Sequence, residues 1–412
     1  MNTGVGEMGL PDDFQERATH TESSKWKGLL HDLNSHNISA GLVSSVLVMT
    51  GPAIIILQAA STGGFTDQQT INWMFAIYFF GGLFSIVMPL LFRIPITGGH
   101  SITGAAFLAT VTAQFTYPQL IGGYVMSGLI IFLIGISGFF TKIIKWVPKE
   151  VIAAMLGGLV TGYVVQIVPA VKEMPLVGAA AVLSFLIGTK YVKKLPPVVI
   201  TMAVAFVVLF LIEKPEFATE QLAFFLPSIQ TPEFTGMGFL TIALPLAMLI
   251  LSNDAAPGIG ALESSDFKPP IRKIVSTSGV FSMITGFFGG QCANIAGMMT
   301  AICAGPDSGP RAKRYMGAVV SGVVTILFGI FAWKIVPFIQ SLPGAFISLL
   351  AGFSLIGVLH TSLRQGFLEE RYRLSALAAF IVTLSNVSFF HISAPVWGLL
   401  IGALLARTIE RS

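Results

Sequence analysis

Three short stretches place hydrogen-bonding side chains and glycines inside otherwise apolar runs: GGHSITGAA at 98–106, GGQCANIAG at 289–297, and LSNDAAPGIG at 251–260. Glycine lets a helix unwind, and unwound backbone is tolerated at membrane depth only where it is buried in protein or lines a cavity. A half-helix that starts at such a break aims its unpaired N–H groups, and the positive end of its dipole, into that space. Two such ends together suit a small anion. Gly99, His100, Ser101 and Thr103 in the first break, and Gly290, Gln291 and Asn294 in the second, are therefore candidates to bind a substrate. The plainer alternative is that the polar ones only cap their own half-helices. For His100 that alternative is a bond to a nearby carbonyl.

The third stretch holds Asn253, a further substrate-binding candidate, and Asp254, the deepest carboxylate in the chain. An Asp at the centre of a spanning helix costs about 2.5–3.5 kcal/mol to insert, so its presence there points to a role. An acid that is neutral when buried and charged when it reaches water is suited to carry a proton. The alternative is a helix-to-helix hydrogen bond, or a position close enough to the inner surface to be hydrated. Thr50, Gly51 and Pro52, with Gln58, form a weaker pattern of the same kind in the first apolar segment.

The elements that must position these residues follow from composition. Of 412 residues, 54% are hydrophobic and 11% charged, which excludes a soluble globular protein. Fourteen apolar segments run from about residue 37 to 407, each bounded by charges or by Pro and Gly. The third (100–114) and tenth (291–303) are too short to cross as helices, so Ile94–Thr97 and Thr285–Phe288 are expected to complete those passages in extended form. The eighth is expected to end at Asp254 (236–254), and the twelfth to cover 343–361. Residues 1–35 lack an apolar core and are expected to be a soluble tail without a cleavable signal.

Charge tests the count, because Lys and Arg collect in cytoplasmic connections. With both termini in the cytoplasm, only Lys172, Lys214 and Lys334 of the 24 basic residues fall on the far side. The net charge of +4 thus reports topology and gives no sign of nucleic-acid binding. Cys292 and Cys303 stand in apolar surroundings without further ligands at metal spacing, as packed thiols would.

Fourteen segments divide into 36–218 and 219–412, seven each, with the short one third in both. Since seven is odd, the halves run in opposite senses through the membrane, as in inverted-repeat transporters. The alignment that pairs Gly98-Gly99 with Gly289-Gly290 also pairs Thr103 with Asn294. The expected fold class is an all-α polytopic membrane protein, a seven-plus-seven inverted repeat with half-helices at segments three and ten.

PITGGHSITGAAFLA, LPLAMLILSNDAAPGIGAL and above all GGQCANIAGMMTAICAGPDSGPRAKRY resemble the bacterial benzoate membrane transporter family of proton symporters. The resemblance covers nearly the whole chain after the tail. It implies the fold shared with nucleobase symporters and sulfate-permease-type carriers, in which segments 1–4 and 8–11 form a core and segments 5–7 and 12–14 a gate. It also implies a bacterial cell membrane location and uptake of benzoate or a similar small aromatic carboxylate, with a proton as coupling ion and no other cofactor. Nucleobase or inorganic-anion carriage on the same fold stays open. The other partner is the bilayer, and a homodimer is left open. An intramembrane aspartyl protease needs two facing aspartates, and only Asp254 is deep. A channel is disfavoured by opposed broken helices, which serve alternating access.

Overall fold

The computed structural model describes residues 31–140, 147–192, 196–212, 227–387, 389 and 393–410, with backbone only at Thr50 and Gly51. The tail before residue 31 and the connection at 213–226 lie outside the described residues. Apolar sequence becomes helix throughout: α1 Ser35–Thr62, α2 Asp67–Phe92, α3 Ile102–Val111, α4 Tyr117–Ser137, α5 Lys149–Glu173, α6 Pro175–Tyr191 and α7 Pro197–Ile212 in the first half. The second half has α8 Gly236–Ser264, α9 Ile271–Phe287, α10 Gly297–Ala304, α11 Tyr315–Ile330, α12 Gly344–Gly366, α13 Arg373–Leu384 and α14 Ala394–Thr408. Among the described residues, α1, α2, α4, α5, α8, α11 (with the turn before it, from Arg311) and α12 are long and apolar enough to cross a bilayer unaided.

Local signals fix the helix starts. Asn34 and Thr66 cap α1 and α2, each in a reciprocal box with the residue three positions on, Asn37 and Gln69. Large side chains on α4, α6 and α7, such as Leu133, Leu183 and Leu211, are exposed, while Trp73, Tyr78, Phe84 and Phe107 are buried. Apolar groups therefore face both inward and outward, as a lipid-facing surface requires.

The helices pack as two related halves. α2 lies on α11 and α4 on α9; α1 lies on α3 and α8 on α10; α6 meets α7 and α13 meets α14; α5 meets α12. Exchanging the first seven for the second seven maps each of these pairs onto another or onto itself, whereas α5 also packs on α13 without a contact of like extent between α12 and α6. The two chain breaks meet at that axis as a minimal antiparallel ladder, β1 Gly98–Gly99 with β2 Asn294–Ile295. Antiparallel pairing is what a twofold between the strands produces.

Three sequence expectations are corrected here. α8 does not end at Asp254 but continues to Ser264, which puts the acid in mid-helix. The equivalence of the breaks is not Gly98-Gly99 with Gly289-Gly290, since Gly98-Gly99 pairs with Asn294-Ile295. Thr285–Phe287 belongs to α9, and the extended passage comes after it. Gly289 turns the chain at φ +94°, a conformation open to glycine, so the second glycine pair ends a helix and does not open one. A further short helix, Ala332–Gln340, precedes α12.

At one end of the bundle, a network ties the start of α1 to the end of α2 and to the α10–α11 connection. Tyr315 donates to Asp32 Oδ2 at 2.6 Å, while Lys313 and Arg93 approach the same carboxylate at 3.4 and 3.6 Å. The Tyr315 hydroxyl and the two cations hold the Asp32 carboxyl below its ordinary range.

The seat of β1 on α2 is close. A Cβ built on Gly98 would stand 2.3 Å from the Gly81 carbonyl oxygen and 2.7 Å from the Ser85 nitrogen, both backbone atoms that cannot step aside. Gly98→Ala is expected to destabilise the protein by at least the ~1–3 kcal/mol typical of overpacking. Thermal melting in detergent reads this; an unchanged midpoint would show that β1 is not seated on α2.

Candidate functional site

The first break is short because Ser101 restarts the helix at once. Its hydroxyl caps α3 by accepting from Gly104 N at 3.0 Å and lies 3.1 Å from Thr103 Oγ1. The second break is longer and is held from α9, where Ser278 and Ser282 share one helix face. Ser282 Oγ accepts from Ala293 N at 3.3 Å and donates to Ala293 O at 3.1 Å, while Ser278 Oγ accepts from Ile295 N at 3.4 Å. Cross-links between the breaks complete the frame. Ala296 N donates to Thr97 O at 2.9 Å, Thr300 Oγ1 accepts from Thr97 N at 3.2 Å, and Ser101 N donates to Cys292 Sγ at 3.2 Å. Gln291 donates through Nε2 to Ser101 O at 3.3 Å and accepts from Trp73 Nε1 at 2.5 Å.

α8 brings the carboxylate. Two of its turns are π-helical, Phe239–Ala243 and Ile250–Ala255, and Pro245 and Pro257 follow them within two residues. A proline inside a helix removes one N–H and its ring displaces the carbonyl four residues back, so the ladder shifts locally to i→i−5, as in Leu244 N to Phe239 O and Ala256 N to Leu251 O. The second wide turn carries Asp254. Its carboxyl has the Ser101 and Asn294 side chains for neighbours, one from each break. Among the described residues Oδ2 has no hydrogen-bond partner, and neither has Asn294 Oδ1. Close approach makes this possible: a Cβ on Gly258 would be 2.9 Å from Ile295 Cγ1, and one on Gly297 3.1 Å from Pro257 Cβ.

Of the sequence candidates, Ser101, Thr103, Gln291, Asn294 and Asp254 are brought together. The other four are placed elsewhere. His100 is 2% exposed and turned the opposite way, as alternation along extended backbone requires. Its ring meets Tyr78 edge-on at 5.0 Å, and both ring nitrogens lack partners. Asn253, through Nδ2, donates to its neighbour Ser252 Oγ at 3.2 Å, its one side-chain bond among the described residues. Gly99 faces Ala296 and Met299, each 3.1 Å from a built Cβ, and so sits at the rim of the cluster. Gly290 is a packing glycine: its Cβ would lie 2.6 Å from Thr285 Cγ2 and 2.9 Å from both Ala76 Cβ and Ile77 Cγ2.

The half-helix ends are unequal. α3 is capped by Ser101, whereas Ala296, at the cap position of α10, offers no side-chain bond. Of the polar candidates, only Thr103 lies in the first turn of a half-helix; Gln291 and Asn294 precede α10 and do not cap it. Cys292, read from sequence as a packed thiol, accepts a bond at the centre of the cluster. Trp73, Ser278, Ser282 and Thr300 had no motif to mark them. Their only signal is a polar side chain on a helix otherwise ready for burial.

Comparison with known proteins gives these features a context. A family model described as "Benzoate membrane transport protein" matches residues 31–408. The chain is 28% identical over 380 residues to the benzoate membrane transport protein of Acinetobacter baylyi, covering 92% of this chain and 96% of that one. It is 30% identical over 368 residues to the inner membrane protein YdcO of Escherichia coli, covering 89% and 93%. Among solved structures, the transmembrane domain of the cyanobacterial bicarbonate transporter BicA aligns at a TM-score of 0.60 and 15% identity, over 90% of this chain and 97% of that one. Murine Slc26a9 in its inward-facing state aligns at 0.59 and 11%, over 91% and 68%. These two likenesses establish a shared fold.

Proposed function

Because the chain belongs to the benzoate membrane transport protein family, we propose that it takes up benzoate, or a similar small aromatic carboxylate, together with a proton. It belongs to the bacterial inner membrane. Its two halves cross fourteen times, with both termini in the cytoplasm. α1–α4 and α8–α11 form one body that carries the site, and α5–α7 and α12–α14 form a second against which it moves.

The observation that carries this reading is the placement of Asp254 between Ser101 and Asn294 at the start of the uncapped α10. A substrate carboxylate belongs at that helix end, where backbone N–H groups and the dipole favour an anion. Val48, Ala296 and Met299 around Gly99 offer apolar contact to its ring. Coupling then follows from like-charge repulsion. Two carboxylates about 4 Å apart repel by ~4 kcal/mol at an effective dielectric of 20, roughly a thousandfold in affinity. A protonated Asp254 instead donates a hydrogen bond. Substrate therefore binds well only when the proton is aboard, and no further coupling ion is needed.

The fold shared with BicA and Slc26a9, named respectively as a bicarbonate and an anion transporter, favours inorganic-anion carriage as the second reading. Proteoliposome uptake of labelled benzoate, competed with unlabelled benzoate, uracil, bicarbonate and sulfate, separates them. The proposal expects competition by benzoate alone, with benzoate affinity falling as pH rises. Uptake displaced by bicarbonate or sulfate and indifferent to benzoate would overturn it.

A further inference from the structure

A second polar cluster lies at the opposite end of the core from Asp32, where α2 and α4 begin. Asn72 Oδ1, Tyr117 Oη and Tyr124 Oη are all buried and, among the described residues, all without a hydrogen-bond partner. Tyr117 and Tyr124 stand two turns apart on one face of α4. A Cβ built on Gly289 would lie 2.5 Å from Tyr117 Oη and 3.6 Å from Asn72 Cβ, so Tyr117 and Asn72 flank the same backbone turn. Buried polar atoms are nearly always paired, so three unpaired ones within a single aromatic cluster mark a place built for something polar.

The walls are aromatic. Phe65 meets Tyr117 edge-on at 5.1 Å and Trp73 at 5.4 Å, and Trp73 lies 6.2 Å from Tyr124. Phe65 and Tyr117 are half-buried, whereas Trp73 and Tyr124 are fully buried, so the cluster runs inward from the surface. At its inner end Trp73 donates to Gln291, and Gln291 donates to the Ser101 carbonyl oxygen, within the frame that holds Asp254.

We propose that Phe65, Asn72, Trp73, Tyr117 and Tyr124 form an outer subsite for an aryl carboxylic acid, through which substrate passes on its way to the Asp254 site. The two phenol hydroxyls donate to the carboxylate, Asn72 Oδ1 accepts from its protonated form, and the rings stack on the aryl face. The Trp73–Gln291 bond joins occupancy here to the first break. This inference rests on the reading of the protein as an aromatic-acid carrier.

The test uses the purified full chain and benzoate, with binding followed by calorimetry and by tryptophan fluorescence. Tyr117→Phe and Tyr124→Phe remove only a hydroxyl, and hydrogen bonds to a charged group support an expected weakening of about tenfold or more for the double variant. Each single variant is expected to fall between it and the parent. Benzoate should change the fluorescence of the parent, and Trp73→Phe should remove most of that change. A double variant that binds like the parent overturns the subsite while leaving aromatic-acid transport standing, as does a fluorescence change that survives Trp73→Phe. A parent chain that binds no benzoate overturns both.

Discussion

Asp254→Asn is expected to leave benzoate binding intact and to abolish its accumulation. The amide keeps the size and shape of the side chain, so α8 and the Ser101–Asn294 contacts retain their packing. It cannot ionise, so it neither repels the substrate carboxylate nor releases a proton on the inner side. In proteoliposomes with only a proton gradient imposed, the parent should concentrate benzoate, whereas the variant should equilibrate it and no more. Exchange of labelled for unlabelled benzoate should continue. Binding to the variant should also lose the parent's weakening with rising pH, because the group whose ionisation opposes the anion is gone. A variant that still concentrates benzoate would make Asp254 a structural residue and leave the proton to the substrate acid itself. His100 is poorly placed to substitute, since its ring faces Tyr78, away from the cluster.

How much of this was legible in the sequence depends on which force sets each feature. Hydropathy and charge are summed over many residues, so the all-helical, polytopic membrane character and the two breaks were readable before any coordinates. Ser101, Thr103, Gln291, Asn294 and Asp254 were readable for a related reason: each is a polar group that apolar surroundings do not explain. The errors are local. GGHS and GGQC look alike, yet the first enters a strand seated on α2 and the second ends α9 through a positive φ at Gly289. That difference is made by what each glycine touches, Gly81 and Ser85 in one case, Thr285 and Ala76 in the other. Asp254 looked terminal because Pro257 follows it. The helix instead absorbs the proline with a wide turn and continues. His100 was a fair candidate by depth, but the one-residue alternation that sends Ser101 toward Asp254 sends His100 the other way.

Locking α3 to α5 is expected to stop transport completely while sparing binding. The two helices belong to different bodies in the proposed mechanism and meet where Tyr163 donates to the Ala106 carbonyl oxygen at 3.2 Å. Every group placed around Asp254 comes from α1–α3, α8–α10 or the two breaks and none from α5, so a link from α3 to α5 leaves that frame untouched. It removes only the freedom of one body to slide past the other, which alternating access requires. Ala106→Cys with Tyr163→Cys, joined by a bis-methanethiosulfonate reagent about as long as the lost phenol, supply the link, each thiol displacing a sulfinate to form a reducible disulfide. Replacing Tyr163 vacates the space that the reagent fills. Uptake should fall to background on linking and return on reduction, while chains carrying only one of the two added cysteines beside the native Cys292 and Cys303, treated alike, should be unaffected. Benzoate affinity should be the same linked and unlinked, which distinguishes arrested movement from a damaged site. Undiminished uptake while linked would mean that α3 and α5 travel together, and the division into two moving bodies would have to be abandoned.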